Sequence, residues 1–164
     1  MTPLNKPTST LVSSHSIGEV YGESGTGHHA LISIEAFNAG DIICKFQAKE
    51  EFTEPSRYTV QTGEGSHITL YPDYLQYINH SCHPNAFFDT DNYELVALQH
   101  IEPGDEFTFF YPSTEWKMSE QFKCLCSEPN CLGYIQGAFN IAPEVLNKYR
   151  VTSFIAGKMK KLHQ

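Results

Sequence analysis

The chain of 164 residues contains no apolar run approaching the roughly eighteen residues that carry a helix across a bilayer, so a soluble protein without membrane partners is expected. Its first residues, MTPLNKPTSTLVSSHS, lack the basic start and continuous apolar stretch of a secretory signal. Nothing in them points to an oxidising compartment. Cysteine is scarce, five in all, and the odd count does not suit a disulfide framework. An intracellular, reducing compartment, nuclear or cytoplasmic, is therefore expected. The loop Gly22-Glu-Ser-Gly-Thr-Gly27 has no lysine after its glycines and runs into a strand-like segment, which excludes a phosphate-binding P-loop. There is no internal repeat, no low-complexity linker and no composition shift inside 17–140, so the length fits one domain.

Acidic residues almost vanish beyond position 142, where only Glu144 remains, whereas five of the eleven Lys/Arg lie there. Residues 1–142 carry a formal charge of −12 and the rest +4. A body this acidic repels nucleic acid and attracts basic partners. An acidic surface kept for solubility gives the same count.

What is present is β-structure. ALISI (30–34), DIICKF (41–46), RYTVQ (57–61), HITLY (67–71), ELVALQ (94–99) and EFTFFY (106–111) are rich in β-branched and aromatic residues. Turn signals at 38–41, 63–65, 89–92 and 102–105 separate them and leave no room for long helices before residue 112. Pro72–Ile78 fits one or two helical turns with Leu75 and Ile78 inward. Pro143 opens a clearer helix with Val145, Leu146 and Tyr149 on one face. Residues 1–15, rich in Ser, Thr and Pro, are expected to form a flexible arm.

Two stretches carry chemistry. YINHSCHPN places His80, Cys82 and His83 within four positions, and CLCSEPNCLGY gives Cys124, Cys126 and Cys131 in a C-x-C-x4-C spacing. Three thiolates so close can converge on one tetrahedral zinc, but a closed site needs a fourth ligand. Cys82, His80 or His83 can supply it and so tie the middle of the chain to its C-terminal part. Chance spacing of free cysteines fits this density poorly, whereas lone Cys44 reads as a small core residue. A nucleophile–base pair of Cys82 and His80 is the weaker reading, because a zinc-bound sulfur cannot attack a substrate and no orienting carboxylate lies nearby in sequence.

Taken in order, SGTGHHALISIEAFNAGDIICKF, YINHSCHPN, IEPGDEFTFFYP and the cysteine cluster resemble the SET domain with its post-SET zinc knot, the fold of protein-lysine methyltransferases. The resemblance spans residues 17 to about 137. It implies a mostly β (β+α) fold of small sheets around a pseudoknot, with a post-SET zinc site and a C-terminal helix. The division is then a SET domain over 16–112, a post-SET segment over 113–137 and a C-terminal helical tail over 138–164.

The resemblance also assigns residues. The strand matching 106–111 threads beside the Asn-His-Ser-Cys segment, so Asn79 and His80 bind S-adenosylmethionine, and Cys82 becomes the fourth zinc ligand beside Cys124, Cys126 and Cys131. Gly25, Thr26, Gly27 and His28 line the methionine end of the cofactor through their backbone. Tyr111 orients the amine near the transferring methyl, and Phe109 sets product multiplicity, leaving room for di- or trimethyl-lysine. Tyr134 closes over the cofactor and the lysine channel, while His83 stays in a solvated turn. Tyr58 and Tyr77 read as channel walls or, more commonly for strand and turn aromatics, as core; the lone tryptophan, Trp116, reads as core.

Two departures stand out. The segment 47–70 is short, and many relatives have Phe-Asp-Tyr where this chain has Phe109-Phe110-Tyr111. The function implied is a histone-lysine type of methyl transfer from S-adenosylmethionine to a basic protein, with zinc as a second cofactor. The alternatives are a catalytically silent zinc-containing binding module and methylation of a non-histone protein or small amine. The basic tail at Lys158, Lys160 and Lys161 reads as a solvated end, a nuclear signal or an automethylation site.

Overall fold

The computed structural model describes residues 9–162. Among the described residues thirteen short strands form five small sheets, and helix is confined to 3-10 turns and two helices after residue 142. Strands β1 (Ser9–Ser14), β2 (Gly18–Glu23) and β3 (His29–Ser33) make an antiparallel sheet. Part of the expected flexible arm is thus ordered, because 9–14 pairs with β2; residues 1–8 lie outside the described residues. Strand β2 alternates buried and half-buried positions, the period of a strand with one face on a core.

A second sheet joins β4 (Ile42–Lys45), β10 (Glu94–Ala97) and β9 (Ala86–Asp89). A third joins β5 (Gln47–Phe52), β7 (Ser66–Tyr71) and β6 (Val60–Gly63). Strand β5 is exposed throughout and carries Lys49, Glu50 and Glu51, charges that discourage pairing with another chain at this sheet edge. Five of the six expected strands are shorter than their sequence signal, ALISI and DIICKF only at their ends. In RYTVQ only Val60 and Gln61 pair, and in EFTFFY only Thr108 and Phe109 do. In ELVALQ pairing stops at Ala97.

A 3-10 turn over Asp73–Tyr77 buries Leu75, and Ile78 follows it inward, as the spacing requires. Strand β8 (Asn79–His80) then lies parallel to β11 (Thr108–Phe109), with Asn79 opposite Thr108 and His80 opposite Phe109. This is the crossing that positions the site. Asn85 fastens it, donating to the Glu106 carbonyl at 2.9 Å and accepting from the Thr108 amide at 2.9 Å.

Three consecutive aromatics leave that crossing in three directions. Phe109 joins the main core with Phe88, Ile78 and Leu95, whereas Phe110 enters a second core with Trp116, Leu146 and Ile155. Tyr111 packs at the edge of the main core. Phe110 stacks on Tyr149 with ring centres 3.7 Å apart, which gives the C-terminal segment a seat that an aspartate at 110 could not offer.

Strands β12 (Phe122–Lys123) and β13 (Tyr134–Ile135) form a hairpin around the cysteines. Gly137 meets the Trp116 carbonyl so closely that an added Cβ would clash with it. Helix α1 (Pro143–Leu146) is shorter than its signal, and α2 (Ser153–Leu162) follows. The basic tail is docked at its start and solvated at its end: Ile155 of α2 is fully buried and Lys158 donates to Glu64 at 2.9 Å, whereas Lys160 and Lys161 are exposed. Among the described residues no helix is long and apolar enough to cross a membrane.

Candidate active site and metal centre

Cys82 follows β8, while Cys124, Cys126 and Cys131 lie in the segment between the two hairpin strands, and their four sulfurs lie within 4.8 Å of one another. Four sulfurs bound tetrahedrally at Zn–S distances near 2.3 Å sit about 3.8 Å apart, so this donor set fits a zinc ion with little adjustment. The Cys82 and Cys124 sulfurs are 4.0 Å apart. Burial pushes the Cys82 thiol up, and pushes Cys124 to about 11. At Cys126 burial also opposes ionisation, but hydrogen bonds from the Cys82 and Glu128 backbone and from neighbouring thiols outweigh it and bring the thiol down to about 7. A divalent cation is what would hold four such sulfurs ionised together. The residues around the cluster are already tied in: Asn130 donates to the Cys82 carbonyl at 2.7 Å, as does the Tyr149 hydroxyl. His83 is exposed, outside the cluster.

Next to this centre lies a cavity of about 330 Å³ whose walls include Gly27, Asn79, Phe109, Tyr111, Glu115 and Phe122. Tyr58 and Tyr77, which the sequence offers as either channel walls or core, also line it. Asn79 is fixed by bonds from its amide to the His29 carbonyl (2.7 Å) and the Glu106 carboxylate (3.2 Å). Burial raises the Glu106 carboxyl above the usual carboxylate range, and the Asn79 bond opposes it. His80 is 3% exposed, with its ring turned toward Cys82 and Tyr111, so only its backbone is left to face a ligand. Burial raises the Tyr111 hydroxyl above its ordinary value, Arg57 opposes the rise, and Glu106 and Glu115 add to it.

The loop between β2 and β3 sits at the rim. Gly25 and Thr26 are at its exposed tip, while Gly27, at φ +70°, lines the cavity with nothing within 4 Å of where a Cβ would stand. His28 borders a second cavity of about 370 Å³, shared with His80, Glu106 and Leu125, and its Nε2 is buried without a hydrogen-bond partner. An orphaned buried nitrogen and a bared glycine backbone fit a polar ligand laid across the two cavities. Burial lowers the His28 pKa, so the imidazole is neutral and can accept or donate there.

Tyr134 does not take the expected place. It is 51% exposed on the outer face of the hairpin, bonded to Gln121, because the alternation of β13 sends Ile135 inward instead. The aromatic from the hairpin that does reach the site is Phe122, with its ring 5.7 Å from His80 and 5.8 Å from Tyr111. Its half-burial on a two-residue strand gave no periodic signal. Glu115 was also missed, in a stretch read only for its tryptophan.

Comparison with known proteins agrees with this geometry. A family model described as the SET domain matches residues 28–112. Methyltransferase flvH of Aspergillus flavus is 39% identical over 132 residues, covering 77% of this chain and 74% of that one. The H3 lysine-36 specific histone-lysine N-methyltransferase of Kluyveromyces lactis is 37% identical over 84 residues, which are 48% of this chain but 12% of the relative. The crystal structure of KRYPTONITE in complex with mCHG DNA and SAH has a TM-score of 0.51 at 24% identity, over 68% of this chain and 27% of that one, a likeness of fold. With the parallel crossing of Asn79–His80 on Thr108–Phe109 at its centre, the chain belongs to the SET domain family.

Proposed function

We propose that the protein is an S-adenosylmethionine-dependent protein-lysine N-methyltransferase acting on a basic protein, with a structural zinc. The observation that carries this reading is that the β8–β11 crossing delivers Tyr111 to the same cavity that Gly27 and Asn79 line. The cofactor would supply a methyl group on a sulfonium, poised for in-line displacement by an amine. Asn79, the backbone of Gly27 and His80, and the orphaned His28 nitrogen would hold it. Gly25 and Thr26 would shape the loop tip above it, and Tyr134 would remain outside.

Tyr111 keeps its proton at neutral pH because burial disfavours the phenolate, so its hydroxyl stays a hydrogen-bonding group able to orient a neutral amine. Phe109, Phe122, Tyr58 and Tyr77 exclude water and give an aromatic channel for an aliphatic stem. Cys82, Cys124, Cys126 and Cys131 would bind zinc and fix Phe122 over the site. An acidic body favours a lysine-rich substrate, and relatives named for histone H3 lysine 36 make histones the first to test. A reducing compartment suits the four thiolates.

The test incubates zinc-loaded protein and its Tyr111→Phe variant with labelled S-adenosylmethionine and histones, ribosomal proteins or the protein itself. Label on a lysine with wild type, lost in Tyr111→Phe while cofactor affinity is kept, is expected. Cofactor binding without any transfer by wild type would favour a silent binding module instead.

A further inference from the structure

One buried acid in the cavity has no part in that scheme. Glu115 is 7% exposed and shares the cavity with Tyr111, Phe109, Tyr58 and Tyr77. Its position follows from the chain's path: the 3-10 turn over Tyr111–Ser113 is continued by a bond from the Glu115 amide to the Tyr111 carbonyl at 3.1 Å, which folds residue 115 back beside the tyrosine. The carboxylate is held rather than loose. Its Oε2 accepts from the Gln61 amide at 3.0 Å and from the Thr114 hydroxyl at 2.6 Å. Gln61 is itself locked, donating to the Gly63 carbonyl and accepting from the Trp116 amide.

What the carboxylate does not have is a cation. Among the described residues Glu115 makes no salt bridge, and the cavity it shares has apolar walls at Val60, Leu70, Leu75 and Ile78 as well as polar ones at Thr59 and Gln76. The titratable groups facing the same cavity are His29, Arg57, Tyr58, Tyr77, Tyr111 and Glu120. Arg57 is exposed, with its guanidinium over the Tyr58 ring at 5.6 Å, and Glu120 is exposed. His67 lies cross-strand from Gln61. Burying an acid without a counter-charge is costly, and burial accordingly raises its pKa to about 7 against the bonds from Thr114 and Gln61. A cation entering the cavity would remove that cost. Of its two oxygens, Oε2 carries both bonds given above.

We propose that Glu115 is the specificity residue for the substrate's charge: its carboxylate receives the ammonium end of an aliphatic amine side chain entering the cavity beside Tyr111. The assignment rests on the methyltransferase reading for the identity of the side chain as lysine, but its electrostatics do not. Ionised Glu115 binds the cation; protonated Glu115 must first release its proton to solvent. Binding of an alkylamine, which stays protonated at and below pH 8, is therefore weaker below pH 7.

The probe is n-butylammonium chloride, the amine and four-carbon stem of lysine, with butan-1-ol as its neutral twin. Each is titrated by calorimetry or NMR into the full-length, zinc-loaded protein at pH 8 and pH 6. At pH 8 the cation should bind roughly tenfold or more tighter than the alcohol, and its binding should weaken by about tenfold at pH 6. In Glu115→Gln, which keeps an oxygen to accept both bonds, the preference and the pH dependence should vanish. Equal binding of amine and alcohol by wild type, or an unchanged profile in Glu115→Gln, overturns the assignment. The wild-type comparison stands even where the variant does not fold. A wild type that transfers methyl groups yet shows no Glu115-dependent cation binding defeats this inference alone, and the reverse result defeats the methyltransferase reading alone.

Discussion

The imidazole of His80 joins Cys82 to Tyr111: its Nε2 lies 3.4 Å from the Cys82 sulfur, and its Nδ1 accepts the Tyr111 amide at 3.1 Å. Because Nδ1 accepts, the ring proton sits on Nε2 and points at the sulfur, the arrangement that favours a thiolate. One ring thus holds the backbone of the candidate catalytic tyrosine and supports a candidate metal ligand. His80→Ala should lower zinc affinity by roughly tenfold or more, as loss of an outer hydrogen bond to a ligand does, and destabilise the fold by about 2–4 kcal/mol. Competition with a chromophoric chelator and urea denaturation measure the two. Unchanged zinc affinity would show that the Nε2–sulfur contact carries no weight.

Removing the metal should loosen one region and leave the sheets intact. The β12–β13 hairpin has two strands of two residues each, too little to hold itself, and Phe122 on it reaches His80 and Tyr111. After chelation, or in Cys126→Ser, amide exchange should rise across 122–135 while β2 and β3 stay protected, and added zinc should restore protection only in the wild type. Uniform exchange throughout the chain would instead make the metal a requirement of the whole fold.

How far the sequence could be read depends on how far each signal is local. The Asn-His-Ser-Cys stretch and the cysteine spacing are short, chemically specific patterns, and the four sulfurs meet as that spacing allows. Strands with β-branched alternation were legible; β1 was not, because Ser-Thr-Leu-Val-Ser-Ser is mostly exposed and gains its order from pairing with β2. Helix α2 falls inside the expected helical tail, but its docking hid behind its lysines, since Phe154, Ile155 and Met159 meet a core assembled from residues 110 to 146. Tyr134 and Phe122 were exchanged for a similar reason: which of two aromatics faces a cavity is decided by hairpin register, and a strand of two residues carries no period to read.

Product multiplicity should respond to residue 109. The Phe109 ring meets Phe88 edge-on at 4.9 Å and Tyr111 at 4.7 Å, and it lines the cavity without bringing a polar atom to it. A hydroxyl added there must find a partner, and a retained water or a bond to the amine would occupy the space in which a methylated amine turns. Wild type should therefore give di- or trimethyl-lysine, and Phe109→Tyr should shift product toward monomethyl-lysine, read as one added methyl by mass spectrometry. A wild type that stops at one methyl would remove the steric argument.

The stability of the protein should carry a signature of Glu115. Its carboxyl has an ordinary value of 4.5 and is raised to about 7 by burial in the folded state. Between those values the folded chain binds more protons than the unfolded one, so this group's contribution to stability falls as pH rises through that window and is flat above it. At about 1.4 kcal/mol per pKa unit the loss amounts to a few kcal/mol at most. Glu115→Gln keeps the bond geometry and cannot ionise. Subtracting its urea-denaturation free energy from that of wild type across pH 4.5–8 cancels the other carboxylates that titrate there. The difference should turn against wild type by about 1–3 kcal/mol as pH climbs to 7. Parallel curves would mean that Glu115 ionises in the folded chain as freely as it does unfolded, and that water or a cation already reaches it.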